Sequence, residues 1–219
     1  MSGLGSCQSR VSLPSVQRNR EDFGYSSQQH LYVCAQKPQK IHPDFDHILA
    51  DILRRDSRGV VVLVEDEYQT AGNNLRRRIR SSMPDVADRV TFAPRLEFSD
   101  YLCLLNVADV LLDPLHYGGG MTLYDWASYN KPLVTWPSEL LRGRYAVGFY
   151  SKMQLSSCIA QTLDEYVDIA VAIGTDALYR SGIEAEIRAA SDVIFEDAAI
   201  VEEHKRVFEW LIEKSRDGS

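Results

Sequence analysis

Five short apolar runs, separated by stretches of helix length, are the feature that most restricts how this chain can fold. Apolar residues at helical spacing occupy the stretches between the runs, and the runs themselves cover residues 30–35, 60–65, 89–93, 108–113 and 132–136. Short apolar runs that alternate with helices are typical of a parallel sheet covered by helices on both faces. The sequence therefore predicts an α/β fold with a Rossmann-like parallel sheet.

The two ends of the chain differ from this alternating region. Residues 1–22 are rich in Ser, Arg, Gln and Pro without an apolar period, which favours an irregular linker or strap. Residues 169–191, with an interruption near Gly174, and residues 198–214 have the pattern of helices. We therefore expect one α/β lobe over residues 23–219 that ends in helices.

Composition narrows the class of protein. The 219 residues are 45% hydrophobic and carry a net charge of −7, whereas nucleic-acid-binding proteins normally have a basic surface. A run of about 18 apolar residues, which a membrane span needs, is missing. Three of the four cysteines lie in apolar segments and none forms a C-x-x-C pair, which favours reduced thiols and a cytoplasmic location. We expect neither nucleic acid nor membrane as a partner.

Residues 112–126, LDPLHYGGGMTLYDW, place three glycines between an apolar run and a helix expected to begin near Met121. In open α/β sheets, ligands bind outside the carboxyl ends of the strands, where helix N-termini present free N–H groups. Glycines at such a helix start let an anion approach the backbone. Thr122 would add a hydroxyl, and Asp125, one turn later, could accept hydrogen bonds from a ribose.

A simpler interpretation of the same stretch is a tight turn, with glycines at positive φ and Asp125 as a solvated helix residue. Lys40 favours the anion site, because it follows the first apolar run and is also expected at the carboxyl edge of the sheet. A lysine beside a helix start suits a diphosphate. Lys40 could equally be an ordinary exposed lysine.

Three segments together resemble glycosyltransferase family 41, which contains the O-linked N-acetylglucosamine transferases and SPINDLY-type proteins. They are CAQKPQKIHPDFD (34–46), the stretch from RVTFAPR to LLRGR (89–144) and DEYVDIAVAIGTDALYR (164–180), and the resemblance extends over about residues 23–212. It implies a GT-B fold of two Rossmann-like lobes, of which this chain would be the C-terminal, donor-binding lobe. It also implies inverting transfer of a sugar such as N-acetylglucosamine from a UDP- or GDP-linked donor to Ser or Thr.

The resemblance implies further partners and a set of donor-binding residues. An N-terminal lobe with tetratricopeptide repeats would bind the protein acceptor and supply the catalytic residue, and no cofactor or metal would be required. Lys40 would contact the diphosphate, with Gln36 just before it. Further donor contacts would come from Leu96 and Tyr101 at the base, Gly118, Gly119, Gly120, Met121 and Thr122 at the pyrophosphate, Asp125 at the ribose, and Arg144 on the interlobe side.

Three positions depart from the animal members of the family. Phe98 replaces a lysine, Leu104 an arginine, and Gly120 a histidine of the pyrophosphate loop. Fewer charged groups at the donor site leave the nucleotide and the sugar open.

Other interpretations also remain open. The chain could be a binding module for a nucleotide sugar without catalysis, or one lobe of a GT-B-type nucleotide-sugar epimerase. His116 and Tyr117 lead into the glycines and could contact a ligand, although a histidine packed at a strand end is commoner. His42 and His204 have the pattern of surface or capping residues. Trp126, Trp136 and Trp210 are expected in the core.

Overall fold

A computed structural model describes residues 4–67 and 70–217 and contains one parallel sheet of five strands. The order across the sheet is β3-β2-β1-β4-β5. Every pairing is parallel, and the strands are β1 (His30–Cys34), β2 (Gly59–Val64), β3 (Val90–Ala93), β4 (Val110–Leu112) and β5 (Leu133–Val134). The predicted Rossmann-like sheet is confirmed, and each strand lies within one of the five apolar runs, except that β2 begins one residue earlier, at Gly59.

Eight α-helices connect or follow these strands in the described parts of the chain. They are α1 (Asp44–Arg55), α2 (Thr70–Ser82), α3 (Phe98–Val107), α4 (Thr122–Tyr129), α5 (Tyr145–Met153), α6 (Leu163–Thr175), α7 (Ala177–Ala190) and α8 (Ala198–Asp217). Right-handed crossovers place α1 and α2 on one face of the sheet and α3 and α4 on the other. Helix α6 returns to the first face, where it packs against α1 and β1.

Capping chemistry explains the break expected near Gly174. The Asp176 carboxylate accepts hydrogen bonds from Leu178 N and Tyr179 N, so it caps the start of α7 directly after α6 ends. Gly174 itself has a packing role, because a Cβ there would overlap the Tyr32 hydroxyl of β1. The glycine allows α6 to lie close against the sheet.

The apolar residues of the strands and of the facing helices form one hydrophobic core. Trp126 is buried and Trp136 is partly buried, as expected, but Trp210 is 55% exposed on α8, so its prediction as a core residue was wrong. All four cysteines are free thiols, and Cys34, Cys103 and Cys158 are buried. Among the described residues, no helix combines the length and apolarity needed to cross a membrane.

Two buried carboxylates lie at the amino ends of the strands. Asp109 Oδ1 pairs with Arg20 at 2.7 Å and Arg180 at 3.0 Å, and its Oδ2 accepts from Leu31 N at 2.8 Å. Asp56 is similarly surrounded, since its Oδ2 lies 2.6 Å from His30 Nδ1 and 2.8 Å from the Tyr32 hydroxyl. Buried carboxylates with this many partners hold the strand starts in register.

Residues 4–20 form neither helix nor strand, but they lie against the domain. Arg10 reaches Asp192 at 2.6 Å, and its guanidinium lies 4.2 Å from the centre of the Phe195 ring. Val11 N donates to the Ser128 hydroxyl at 3.0 Å on α4. The segment therefore contacts both α4 and the region before α8.

Candidate functional site

The strand order reverses between β1 and β4, which lie side by side at the centre of the sheet. In open α/β sheets the loops that follow the two strands at such a point diverge to opposite faces and leave a crevice where ligands bind. The loop after β1 carries Gln36 and Lys40, and the loop after β4 carries the three glycines. The two sequence features that pointed to an anion site therefore meet at one crevice.

Lys40 joins the two loops. It ends the short 3₁₀ turn Pro38–Lys40, and its Nζ donates to Gln36 Oε1 at 2.9 Å and to the carbonyl of Gly118 at 3.1 Å. The ammonium also lies 4.7 Å from the centre of the Tyr117 ring. Burial lowers the pKa of Lys40 from its ordinary value. An ammonium has three donors, so one remains for a ligand after these two hydrogen bonds.

The glycines do not provide a turn at positive φ, so that alternative was wrong. Among the described glycines, positive φ occurs at Gly24 and not at the three loop glycines. The residue of this loop that has a left-handed backbone conformation is His116, at φ 68°. Close packing explains the first two glycines. A Cβ at Gly118 would lie 2.7 Å from both carboxylate oxygens of Asp113, and one at Gly119 would lie 2.9 Å from the Leu123 side chain.

Asp113 lies buried beneath the glycine loop and organises it. Its Oδ1 accepts from Gly119 N at 2.9 Å, and its Oδ2 accepts from the Thr135 hydroxyl at 2.9 Å. Burial raises the pKa of the Asp113 carboxyl to about 6, although both hydrogen bonds and the nearby Lys40 lower it. In sequence, Asp113 followed by Pro114 is a common strand-to-loop signal, and nothing local in it indicates this supporting role.

The backbone at the start of α4 presents free donors. Gly118 N donates to Arg142 O, whereas the N–H groups of Gly120, Met121 and Thr122 have no acceptor within the described parts of the chain. The Thr122 hydroxyl accepts from Gln36 Nε2 at 2.8 Å, and Met121 is 55% exposed. Free N–H groups at a helix N-terminus form an anion-binding arrangement.

Asp125 follows on the first turn of α4 and is half-buried. Its carboxylate makes no hydrogen bond or ion pair with any described residue, and burial raises its pKa to about 6. Because Asp125 is half-buried, the alternative of a fully solvated helix residue does not describe it. A partly desolvated carboxylate without protein donors can accept hydrogen bonds from a ligand.

Leu96 and Tyr101, the two residues expected to contact the nucleotide base, line a recess of their own. Leu96 and Tyr101 are both half-buried and border a cavity of about 320 Å³. Phe98, at 57% exposure, stacks on Tyr101 with ring centres 6.2 Å apart. Leu104 is fully buried in the core, so its departure from the animal sequences does not alter the exposed surface.

Two arginines near the loop have different positions. Arg144 is exposed at the start of α5, and its role in donor binding stays a prediction. Arg142 was not singled out from the sequence, yet it lines a cavity of about 200 Å³ together with Lys40 and Tyr117. Its guanidinium lies 5.7 Å from the centre of the Tyr117 ring, and the Lys40 ammonium lies 4.7 Å from the same ring centre. The turn that carries Arg142, SELLRGR (138–144), is joined to the glycine loop by the hydrogen bond from Gly118 N to Arg142 O.

The same cavity is bordered by two histidines. His116 Nε2 lies 2.8 Å from Asp44 Oδ2, and the His42 and His116 rings meet edge to face at 4.7 Å. The hydrogen bond from His116 is the largest of the influences that lower the pKa of the Asp44 carboxyl. His116 is thus oriented by a carboxylate, and His42 is exposed as the sequence suggested.

Comparison with known proteins agrees with this geometry. The sequence model of glycosyl transferase family 41 matches residues 7–202, which is most of the chain. The chain belongs to glycosyl transferase family 41. The match begins inside residues 1–22, so this segment is partly included in the family unit.

Curated relatives extend well beyond this family 41 chain. A probable UDP-N-acetylglucosamine–peptide N-acetylglucosaminyltransferase (SEC) of Arabidopsis thaliana is 23% identical over 81% of the chain, which covers 18% of that protein. A UDP-N-acetylglucosamine–peptide N-acetylglucosaminyltransferase of Caenorhabditis elegans is 26% identical over 68% of the chain, which covers 13% of that protein. The chain spans less than a fifth of either relative.

Solved structures show the same fold. An O-GlcNAc transferase from Thermobaculum terrenum superposes with a TM-score of 0.73 at 22% identity, covering 87% of this chain and 38% of its own. The Anabaena protein HepE, in complex with UDP and glucose, gives a TM-score of 0.60 at 13% identity, covering 84% of this chain and 49% of its own. The family 41 chain therefore has the fold of one GT-B lobe.

Proposed function

We propose that this chain is the donor-binding lobe of an inverting protein O-glycosyltransferase that transfers a sugar such as N-acetylglucosamine to Ser or Thr. One observation carries the proposal: Lys40 and the free N–H groups of Gly120, Met121 and Thr122 converge at the strand-order reversal. A cation and a helix N-terminus at one crevice are suited to a diphosphate.

The remaining parts of a nucleotide sugar have candidate contacts around this centre. Asp125 would accept hydrogen bonds from the ribose hydroxyls, because its carboxylate is partly desolvated and lacks protein donors. The base would lie in the recess of Leu96 and Tyr101, against the Tyr101 ring. Gln36, bonded to both Lys40 and Thr122, would hold the two halves of the diphosphate site together.

In sugar transfer the nucleoside diphosphate leaves with its negative charge. Lys40 and the positive end of α4 would stabilise that charge, which is the contribution a metal makes in other transferases. We therefore expect transfer without a metal or cofactor.

Transfer also needs an acceptor hydroxyl and a group that takes its proton. We expect both from an N-terminal lobe with tetratricopeptide repeats, as the chain covers only a small part of its relatives. Exposed apolar side chains near the crevice support a facing lobe: Phe98, Tyr117, Met121, Leu140 and Leu141.

Calorimetric titration with uridine and guanosine diphosphates tests the donor site. We expect binding of one of them, and Lys40→Ala should weaken it by about 1–3 kcal/mol, the range for a charge-assisted hydrogen bond. Lys37→Ala is the matched control, because Lys37 is exposed three residues earlier. Absence of heat with either nucleotide at millimolar concentration, or equal binding by Lys40→Ala and the parent, would contradict the proposal.

The half-enzyme part of the proposal has its own test. We mix the purified chain with labelled donor and a Ser/Thr-rich peptide, alone and with a matching N-terminal lobe added. We expect no transfer by the chain alone. Stoichiometric transfer without the second lobe would show that the chain contains the acceptor chemistry itself.

A further inference from the structure

We infer that His42, Asp44 and His116 form a binding site for a divalent transition-metal ion of the Zn²⁺ class. Their ligand atoms all lie within 4.8 Å of one another. Among the described residues, this is the group of three or more His, Cys, Asp or Glu side chains that is close enough to hold one metal ion. Asp44 Oδ2 is central, at 2.8 Å from His116 Nε2 and 3.3 Å from His42 Nδ1. His42 and Asp44 lie at the start of α1, whereas His116 lies in the loop after β4, far away in sequence.

The donor set fits the ion. Two imidazoles and one carboxylate are ligands that Zn²⁺ takes at about 2.0–2.2 Å, so ligand atoms around a tetrahedral ion are roughly 3.4 Å apart. The two separations from Asp44 Oδ2, 2.8 and 3.3 Å, are near that value, and the two imidazole nitrogens lie within 4.8 Å of each other. Three protein ligands leave the fourth position for water or a ligand oxygen. Hard ions such as Mg²⁺ prefer oxygen ligands and are disfavoured here.

Two local interactions oppose the ion. Asp44 begins α1, whose N-terminus repels a cation, and Asp44 N donates to His42 Nδ1 at 3.2 Å, which engages the same lone pair. The Asp44 carboxylate offsets the first effect with a full negative charge. The second contact is long, and His42 and Asp44 are both exposed, so the ring is free to adjust.

An ion at this position would connect the two loops of the donor crevice. His42 follows Lys40 by two residues, and His116 precedes Gly118 by two. Lys40 already bonds to Gly118 O, so the ion would add a second link between the same segments. This role is positional and independent of sugar transfer. The site can therefore be tested without nucleotide.

The experiment uses the untagged chain, stripped with a chelator, and a Zn²⁺ titration against a chromophoric competitor. We expect one ion per chain and a rise in Tm of about 5–10 °C at free Zn²⁺ about 100 times Kd. With Co²⁺, visible absorption bands of a four-coordinate site should appear. Mg²⁺ should produce neither change.

Three ligand variants locate the ion. His42→Ala, Asp44→Asn and His116→Asn should each lower the Zn²⁺ affinity at least about 10-fold, and Asn is chosen at 116 because it tolerates positive φ. His204→Ala on α8 and Cys7→Ser are matched controls and should bind as the parent does. Circular dichroism verifies that each variant is folded.

The outcomes separate clearly. Loss of affinity in the three ligand variants alone supports the site. If the parent binds no Zn²⁺ below millimolar concentration, the cluster is only a hydrogen-bonded group and the inference is overturned. Parent-like affinity in the ligand variants would place the ion elsewhere and overturn it too.

Discussion

Buried or half-buried carboxylates lie at both ends of the strands, here called the amino edge and the carboxyl edge of the sheet, but at the carboxyl edge one of them, Asp125, has no partner among the described residues. At the amino edge, Asp109 and Asp56 are surrounded by arginine, histidine, tyrosine and backbone donors. At the carboxyl edge, burial raises the pKa values of Asp113 and Asp125 to about 6. The amino edge stabilises the fold, whereas the carboxyl edge retains polar groups without hydrogen-bond partners that a ligand can supply.

The largest expected effect concerns the amino edge. Asp109→Ala removes the buried carboxylate that Arg20, Arg180 and Leu31 N share, so the free energy of unfolding should fall by about 3–5 kcal/mol. Urea unfolding measures it. Nucleotide affinity per folded molecule should not change.

Asp192→Ala is the control for this variant, because Asp192 also pairs with an arginine but its side chain is 91% exposed. Its loss should be at most about 1 kcal/mol. Equal losses in both variants would mean that the amino edge is not specially stabilised.

An intermediate effect is expected at the glycine loop. Gly118→Ala places a Cβ against both oxygens of Asp113, so it should lower the free energy of unfolding by about 1–3 kcal/mol and weaken nucleotide binding. Gly120→Ala is the matched control, since its Cβ would meet nothing within 4 Å. Thermal and urea unfolding of the two variants give the comparison. Identical stability would refute the packing explanation for the loop.

The smallest effect concerns pH and Asp125. The folded-state pKa is about 6, against about 3.9 in an unfolded chain, so ionisation of Asp125 lowers stability as pH rises from about 4 to about 6. Asp125→Asn removes this loss. The variant should equal the parent near pH 4 and be more stable than it at pH 7.

Urea unfolding of both chains across this pH range is the measurement. Calorimetry should meanwhile show weaker nucleotide binding by Asp125→Asn. A stability difference that does not grow with pH would mean that Asp125 ionises freely in the folded protein.

The sheet could be predicted from the sequence because strands that are buried on both faces are continuous apolar runs, which are visible in a short window of sequence. The glycines, Lys40 and Asp125 were predicted at one sheet edge from their position after strands. Residues whose role depends on long-range packing were not predictable. Asp113 supports the loop through Gly119 and Thr135, and His116 takes up the left-handed conformation expected of a glycine. Neither arrangement has a local pattern.

Helix α5 and the exposure of Trp210 were missed for a related reason. Residues 145–153 carry their buried side chains at helical spacing, but the stretch is only nine residues long, and its helix packs in a region formed by several distant segments. Helix α8 has an apolar residue at position 210, but no described segment covers it. Burial depends on what lies opposite a side chain, which a local window cannot contain.

The segment before β1 also has a consequence for biosynthesis. Its Arg10 contacts Ser191 and Asp192, and the second contact joins positions 182 residues apart. A ribosome synthesises the chain from its N-terminus, so Arg10 has neither of these partners until the strands and α1–α7 have been made. A residue near the start of the lobe is thus among the last to make its contacts.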